Sequence, residues 1–94
     1  MSYTIEFIPS AEKEFRQLDL SIRKQFVSKL RERAENPRVP SAKLHGLKDC
    51  YKIKLRSAGF RLVYQVIDER IVVKVIAVGK RERNLVYRNA KVRL

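Results

Sequence analysis

The residues with the clearest potential for chemistry are three cationic side chains, Lys52, Lys54 and Arg56, that alternate with apolar or aromatic residues at positions 51, 53 and 55. In a β-strand successive side chains point to opposite faces, so the three cations would share one surface while their neighbours enter a core. A row of cations fixed on a sheet can hold phosphate. The same alternation also describes an ordinary solvated strand face, and by itself it does not separate the two interpretations.

The positive charge of the chain is concentrated in two segments. The 94 residues carry a formal net charge of +12. Residues 43–61 contain six Lys or Arg and one Asp, and residues 80–94 contain six Lys or Arg and one Glu. Such localised cationic patches attract polyanions and speed encounter with them. Nucleic acid is therefore the leading partner class, with an anionic membrane surface or an acidic protein as the alternative.

Several kinds of protein are disfavoured by the sequence. No segment approaches the run of about 20 apolar residues that a membrane-spanning helix needs, and the start of the chain does not resemble a signal peptide. The one cysteine, Cys50, has no partner for an internal disulfide, which agrees with a reducing compartment. With His45 as the one histidine, a zinc site is not expected. We expect a cytoplasmic protein with no metal, no cofactor and no membrane partner.

The periodicity of apolar residues predicts one α+β domain over residues 1–94. The predicted elements are a strand at 3–7, a helix capped by Ser10, a second helix capped by Ser21, a loop at 36–42, strands at about 47–55, 60–67 and 71–78, and a helix within 82–91. Short turns at 56–59 and 68–70 predict an antiparallel meander. We expect a single antiparallel sheet of about four strands, with a helical hairpin on one face and the other face free to bind. The residues from 91 to 94 are expected to fray.

Three stretches together resemble one family along essentially the whole chain. They are KLHGL at 43–47, CYKIKLRSAGFRLVYQV at 50–66, and VGKRER at 78–83 followed by Tyr87. In these stretches the chain closely resembles the RelE toxins of bacterial type II toxin–antitoxin systems. The resemblance implies the order β-α-α-β-β-β-α. It also implies a ribosome-dependent endoribonuclease that cuts mRNA in the ribosomal A site and is neutralised by a cognate RelB-like antitoxin.

The resemblance assigns catalytic roles to five residues: Lys52, Lys54, Arg61, Arg81 and Tyr87. Tyr87 would accept the proton of the ribose 2′-hydroxyl, and Arg81 would support or protonate the leaving 5′-oxygen. The other three cations would stabilise the phosphorane.

The chemistry is plausible on physical grounds as well. Attack by an internal 2′-hydroxyl needs no metal if fixed cations meet the charge that develops on the phosphate. Tyrosine is a weak base at neutral pH, although neighbouring cations favour its phenolate, and arginine is a reluctant acid. Precise positioning by the ribosome would have to supply the missing rate, so free RNA should be a poor substrate and DNA none at all.

A second set of residues is predicted to bind RNA or the ribosome without taking part in the chemistry: Lys43, His45, Lys48, Arg56, Phe60, Lys80 and Arg83. Two of them depart from the pattern of the family, which commonly has Arg at the position of His45 and Tyr at that of Phe60. Tyr51, Tyr64 and Cys50 are expected in the core, and Cys50 is not expected to act as a nucleophile.

Other functions remain open from the sequence alone. One is a non-catalytic toxin of the same fold, directed at DNA gyrase. Another is a basic module that binds ribosomal RNA without cleaving it, or that reaches operator DNA only in complex with its antitoxin. Under these alternatives Tyr87 would be an ordinary packing residue, and Arg81 would only position phosphate.

Overall fold

The computed structural model describes residues 2–94, and the order of its elements is the predicted one. They are β1 (Thr4–Phe7), α1 (Pro9–Arg16), α2 (Leu20–Glu35), a 3-10 turn (Pro40–Ala42), β2 (Cys50–Leu55), β3 (Phe60–Ile67), β4 (Val72–Lys80) and α3 (Leu85–Arg93). In this part of the chain no helix is long and apolar enough to cross a membrane.

The four strands form one sheet in the order β1-β4-β3-β2. The meander β2-β3-β4 is antiparallel as predicted, but β1 pairs with β4 in parallel, from Thr4 opposite Val72 to Phe7 opposite Val75. The prediction of a fully antiparallel sheet was therefore wrong for this edge. Alternating side chains show which face of the sheet a residue occupies, but not the direction in which the strand runs. The connection from β1 to β4 is long and includes α1 and α2, so it permits a parallel pairing, whereas a tight turn would not.

The first two helices cover one face of the sheet. Phe26 and Leu30 of α2 lie in a core cluster with Ile53, Leu62 and Tyr64 from the strands. This arrangement follows from the period of the two elements, because residues four apart share a helix face and residues two apart share a strand face. Tyr51 and Tyr64 are both buried, as predicted.

The opposite face is only partly open, which corrects the expectation of a free face. Val86 and Ala90 of α3 pack over Cys50, Val63 and Ala77 in a second buried cluster. The predicted burial of Cys50 is confirmed, and burial raises the pKa of its thiol to about 11. The helix leaves uncovered the part of the face that carries the alternating lysines.

The helix starts differ from the prediction. Helix α1 begins at Pro9, with Ile8 at the N-cap, and α2 begins at Leu20, with Asp19 at the N-cap. Ser10 and Ser21 thus lie inside the first turns and do not cap them. Proline has a fixed φ suited to the first helical position, so Pro9 starts the helix before the serine is reached.

Arg93, one residue from the end of the chain, makes hydrogen bonds that join α3 to the rest of the molecule, and the expected fraying of residues 91–94 stays a prediction. Strand β1 stops pairing at Val75, so the rest of β4 has no neighbouring strand on that side. There Glu14 accepts a hydrogen bond from the Val78 backbone N–H at 3.1 Å, and Arg93 donates to the Ile76 carbonyl at 2.9 Å. Arg93 also pairs with both carboxylate oxygens of Glu14, at 2.8 and 2.9 Å. The two paired side chains thus satisfy backbone groups of β4 that have no neighbouring strand, and they tie α3 to α1 and β4.

The Glu14–Arg93 pair gives a first prediction. Because it is partly buried and satisfies a strand N–H as well, Glu14→Ala should lower the free energy of unfolding by about 1–3 kcal/mol. Urea denaturation measures this loss. Glu12→Ala is the matched control, since Glu12 makes only an exposed pair with Arg16, and such pairs contribute about 0–1 kcal/mol. Equal losses in the two variants would contradict the anchoring role.

Candidate active site

The lysines of β2 lie on the face that α3 leaves uncovered. Ile53 and Leu55 are buried on the helix side of the strand, whereas Lys52 is half-buried and Lys54 is exposed on the other side. In the antiparallel register, Lys54 lies directly opposite Arg61 of β3. The sheet therefore places two cations side by side, as the alternation predicted.

Arg81 joins this group from the end of β4. Its backbone N–H donates to the Gly59 carbonyl at 2.8 Å, which ties the end of β4 to the β2–β3 turn. Gly59 has a φ of +72°, a conformation that glycine adopts without strain. A cleft of about 160 Å³ lies beside this turn, and its lining includes Lys54, Arg56, Phe60, Arg61 and Arg81.

These cations lie close enough together to repel one another. The pKa of Lys54 is lowered from its ordinary value of 10.5, first by the charge of Lys52, then by partial desolvation, and then by the charges of Arg61, Arg56 and Arg81. Within residues 2–94, no carboxylate forms a salt bridge with Lys52, Lys54, Arg61 or Arg81. The face therefore holds uncompensated positive charge at a fixed place.

Arg61 connects the lysine face to Tyr87. Tyr87 lies in the first turn of α3, is half-buried, and packs beside the second core cluster. The Arg61 guanidinium carbon lies 5.1 Å from the centroid of the Tyr87 ring, within range of a cation–π interaction. Arg61 Nη1 also donates to Asn84 Oδ1 at 3.3 Å. One arginine thus contacts the phenol ring on one side and has Lys54 opposite it on the neighbouring strand.

The residues predicted to bind RNA lie in four different places. Arg56 and Phe60 line the cleft with Arg81, and Lys80 borders an adjoining groove with the same three residues. Phe60 is half-buried and also packs against the helix-side core, so it has a structural role as well.

The other members of the binding set lie away from the cleft lining. His45 borders a separate pocket of about 240 Å³ together with Tyr87. Lys43, Lys48 and Arg83 have exposed side chains and do not line the cleft.

Two residues near the site were missed by the sequence analysis. Arg33 of α2 donates to the Lys52 carbonyl at 3.1 Å and to the Tyr64 hydroxyl at 2.9 Å, and so supports β2 from behind. Asn84 contacts Arg61, as described above. An asparagine before a helix is a recognisable N-cap signal, but the predicted helix began at 82 and included it. Nothing in the sequence indicates the Arg33 contacts, because they join residues 19 and 31 positions apart.

Metal-ligating side chains do not cluster in the described part of the chain. Among residues 2–94, no three His, Cys, Asp or Glu side chains come together as a possible metal site.

Comparison with known proteins identifies the family. A family model described as the ParE toxin of a type II toxin-antitoxin system, parDE, matches residues 5–85. A RelE-like toxin protein of Escherichia coli is 56% identical over 94 residues, and the mRNA interferase toxin RelE of E. coli K12 is 55% identical, each covering 100% of this chain and 99% of the relative. The chain belongs to the RelE family of bacterial type II toxins. The resemblance seen in the sequence is thereby confirmed.

Solved RelE structures share the fold. A free E. coli RelE variant with two arginines replaced by alanine superimposes with a TM-score of 0.93 at 53% identity, covering 100% of this chain and 99% of that chain. A chain of the intact E. coli RelBE toxin–antitoxin complex gives a TM-score of 0.84 at 56% identity, covering 87% of this chain and all of that one. The predicted α+β class and element order of a RelE toxin are confirmed.

The repulsion at Lys54 gives a second prediction. Because its pKa is lowered in the folded chain, its charge opposes folding wherever it is protonated, and this cost falls once the pH passes the lowered pKa and is gone above the ordinary value of 10.5. Lys54→Gln should therefore raise Tm at neutral pH and low salt, with a smaller gain in high salt. Thermal melts at two salt concentrations measure this. Lys24→Gln, an exposed lysine on α2, is the control, and an equal gain there would contradict the prediction.

Proposed function

We propose that this chain is the toxin of a type II toxin–antitoxin pair and an endoribonuclease that cleaves mRNA in the ribosomal A site. The observation that carries the proposal is the position of Arg61, which lies opposite Lys54 in the sheet and over the ring of Tyr87. The E. coli relative at 55% identity is named an mRNA interferase toxin, which supports the same reaction here.

The reaction would proceed by attack of a ribose 2′-hydroxyl on the adjacent phosphate. Tyr87 takes the proton of that hydroxyl, and the bond to the 5′-oxygen of the next nucleotide breaks as the cyclic phosphate forms. Lys52, Lys54 and Arg61 stabilise the charge on the phosphorane, and fixed cations do this without reorganising during the reaction. Arg81, at the end of β4, supports or protonates the leaving oxygen.

The ribosome would supply the positioning that this site lacks. The cations lie on an open face and in a small cleft, so little of the toxin surrounds a strand of RNA. Holding the 2′-hydroxyl, phosphorus and leaving oxygen in line can lower a barrier by about 7–11 kcal/mol. A message held rigidly in the A site, presented to an exposed cationic face, would gain this contribution. The remaining predicted cations would contact ribosomal RNA, with His45 and Phe60 beside them. These cations are Lys43, Lys48, Arg56, Lys80 and Arg83.

The charge of the chain supports two further partners. A net charge of +12 favours an acidic antitoxin that covers the cationic face, and the related E. coli toxin is found in a complex named RelBE. Operator DNA would be reached only through that antitoxin complex. A reaction on the ribosome would take place in the cytoplasm.

A toxin of the same fold that does not cleave RNA is the second candidate. It is favoured by one observation, namely that the matching family model is described as a ParE toxin. Such a toxin would act on DNA gyrase or bind ribosomal RNA only. A phenol held beside Arg61 is needed for neither role, because binding to gyrase or to RNA phosphates requires no base, and we therefore prefer cleavage.

The catalytic assignment gives a third prediction. Tyr87→Phe and Arg81→Ala should each slow cleavage of a defined message on programmed ribosomes by about 10²-fold or more, because proton transfer contributes about 10²–10⁴-fold. Ribosome binding, measured by co-sedimentation, should change little. The same message without ribosomes should be cut poorly by the parent chain.

Matched controls make the result specific. Tyr3→Phe removes a hydroxyl that donates to Asp68, and Arg70→Ala removes an exposed pair with Glu6, both far from the cleft. Both controls should cleave at the parent rate. If Tyr87→Phe does so as well, Tyr87 is not the base. If the parent chain leaves the message intact on ribosomes, the second candidate replaces the first.

A further inference from the structure

Asn84 uses its side chain in an unusual way. It occupies the N-cap position of α3, where asparagine ordinarily accepts a hydrogen bond from a backbone N–H in the first turn. Within the described residues its side chain makes no such bond. Its Oδ1 instead accepts a hydrogen bond from Arg61 Nη1 at 3.3 Å. The helix start is served by backbone bonds, from Leu85 N–H to the Glu82 carbonyl and from Arg88 N–H to the Asn84 carbonyl.

The backbone of the β4–α3 connection directs this contact. Arg83 and Asn84 have φ angles of +45° and +59°, so two successive residues lie in the left-handed region. Non-glycine residues rarely adopt this conformation, and asparagine is among those that tolerate it best. Asn84 thus combines a backbone that can make the turn with an oxygen that reaches β3.

Arg61 has few other contacts that could orient it. Its Nε is buried and finds no hydrogen-bond partner within residues 2–94. The described contacts of its guanidinium are the ring of Tyr87 and the oxygen of Asn84. The ring limits the guanidinium on one side but does not fix its direction. The oxygen of Asn84 therefore sets where the cation points.

We propose that Asn84 is a positioning residue for the cleavage reaction, which holds the Arg61 guanidinium over Tyr87 so that it meets the scissile phosphate. The inference rests on the proposed function. Asn84 does not touch the reacting atoms in this account. It acts through Arg61.

The test removes the oxygen without straining the turn. Asn84→Gly keeps a residue suited to positive φ and deletes the acceptor. At saturating toxin on programmed ribosomes, the single-turnover cleavage rate should fall by roughly tenfold, since a misplaced catalytic group costs rate. The toxin concentration that gives half the maximal rate should stay the same.

A double-mutant comparison shows whether Asn84 acts through Arg61. In an Arg61→Ala background, Asn84→Gly should cause no further loss of rate, because the group that it positions is already gone. If Asn84→Gly cleaves at the parent rate, or slows the Arg61→Ala variant by the same factor as the parent, the positioning role is wrong.

A spectroscopic measurement reports on the contact without cleavage. In the parent chain the NMR signals of the Arg61 side chain should be displaced by the ring current of Tyr87, and Asn84→Gly should move them towards those of exposed arginines. Asn84→Asp keeps an acceptor oxygen and should keep the displacement. Ile71→Gly is the control for a glycine at positive φ, and it should leave the Arg61 signals unchanged.

The two proposals fail in different ways. If the parent chain and Asn84→Gly both cleave the message, and do so at the same rate, only the positioning role is wrong. If the parent does not cut at all, the proposed function is wrong and the positioning role falls with it. Arg61 signals that are identical in the parent and Asn84→Gly also overturn the positioning role, whatever the cleavage rates.

Discussion

The candidate site depends on like charges that the sheet forces together. Lys54 and Arg61 are direct neighbours across β2 and β3, and Lys52 lies two positions along the same face. Like charges placed opposite each other destabilise a sheet, and the pKa of Lys54 is lowered, first by the charge of Lys52, then by desolvation, and then by Arg61 and the other cations. The buried residues on the other face of the same strands hold the cations in place. In the proposed reaction a phosphate would relieve this repulsion, and cations that are already held in place would stabilise its charge without reorganising.

The helix α3 supplies the phenol group, which the sheet does not. A strand face offers cations in a row, but the phenol of Tyr87 has to come from another element. Val86 and Ala90 pack α3 on the sheet, and the Glu14–Arg93 pair fixes its far end to α1 and β4. Asn84 then links the near end to Arg61. The position of Tyr87 thus depends on contacts at both ends of a nine-residue helix.

The sequence predicted the parts of this site that depend on local periodicity. Alternation at 51–56 indicated which side chains of β2 face the core, and the short turns indicated the meander. Strand direction could not be predicted for β1, because a crossover of helices allows either pairing. The anchored end of α3 was also missed, since Glu14 and Arg93 are 79 residues apart in the chain. The roles proposed for Arg81 and Tyr87 came from the family resemblance alone, because neither residue is marked by periodicity.

The most direct test of the converging cations is the pKa of Lys54 measured by NMR on its side-chain carbon and nitrogen signals. We expect a value below 10.5 in the free chain, which rises when a short RNA with a 2′-deoxy group at the cleavage position is added. Lys24, on the exposed face of α2, should not respond. An ordinary Lys54 pKa that the RNA leaves unchanged would contradict the claim that these cations share one phosphate.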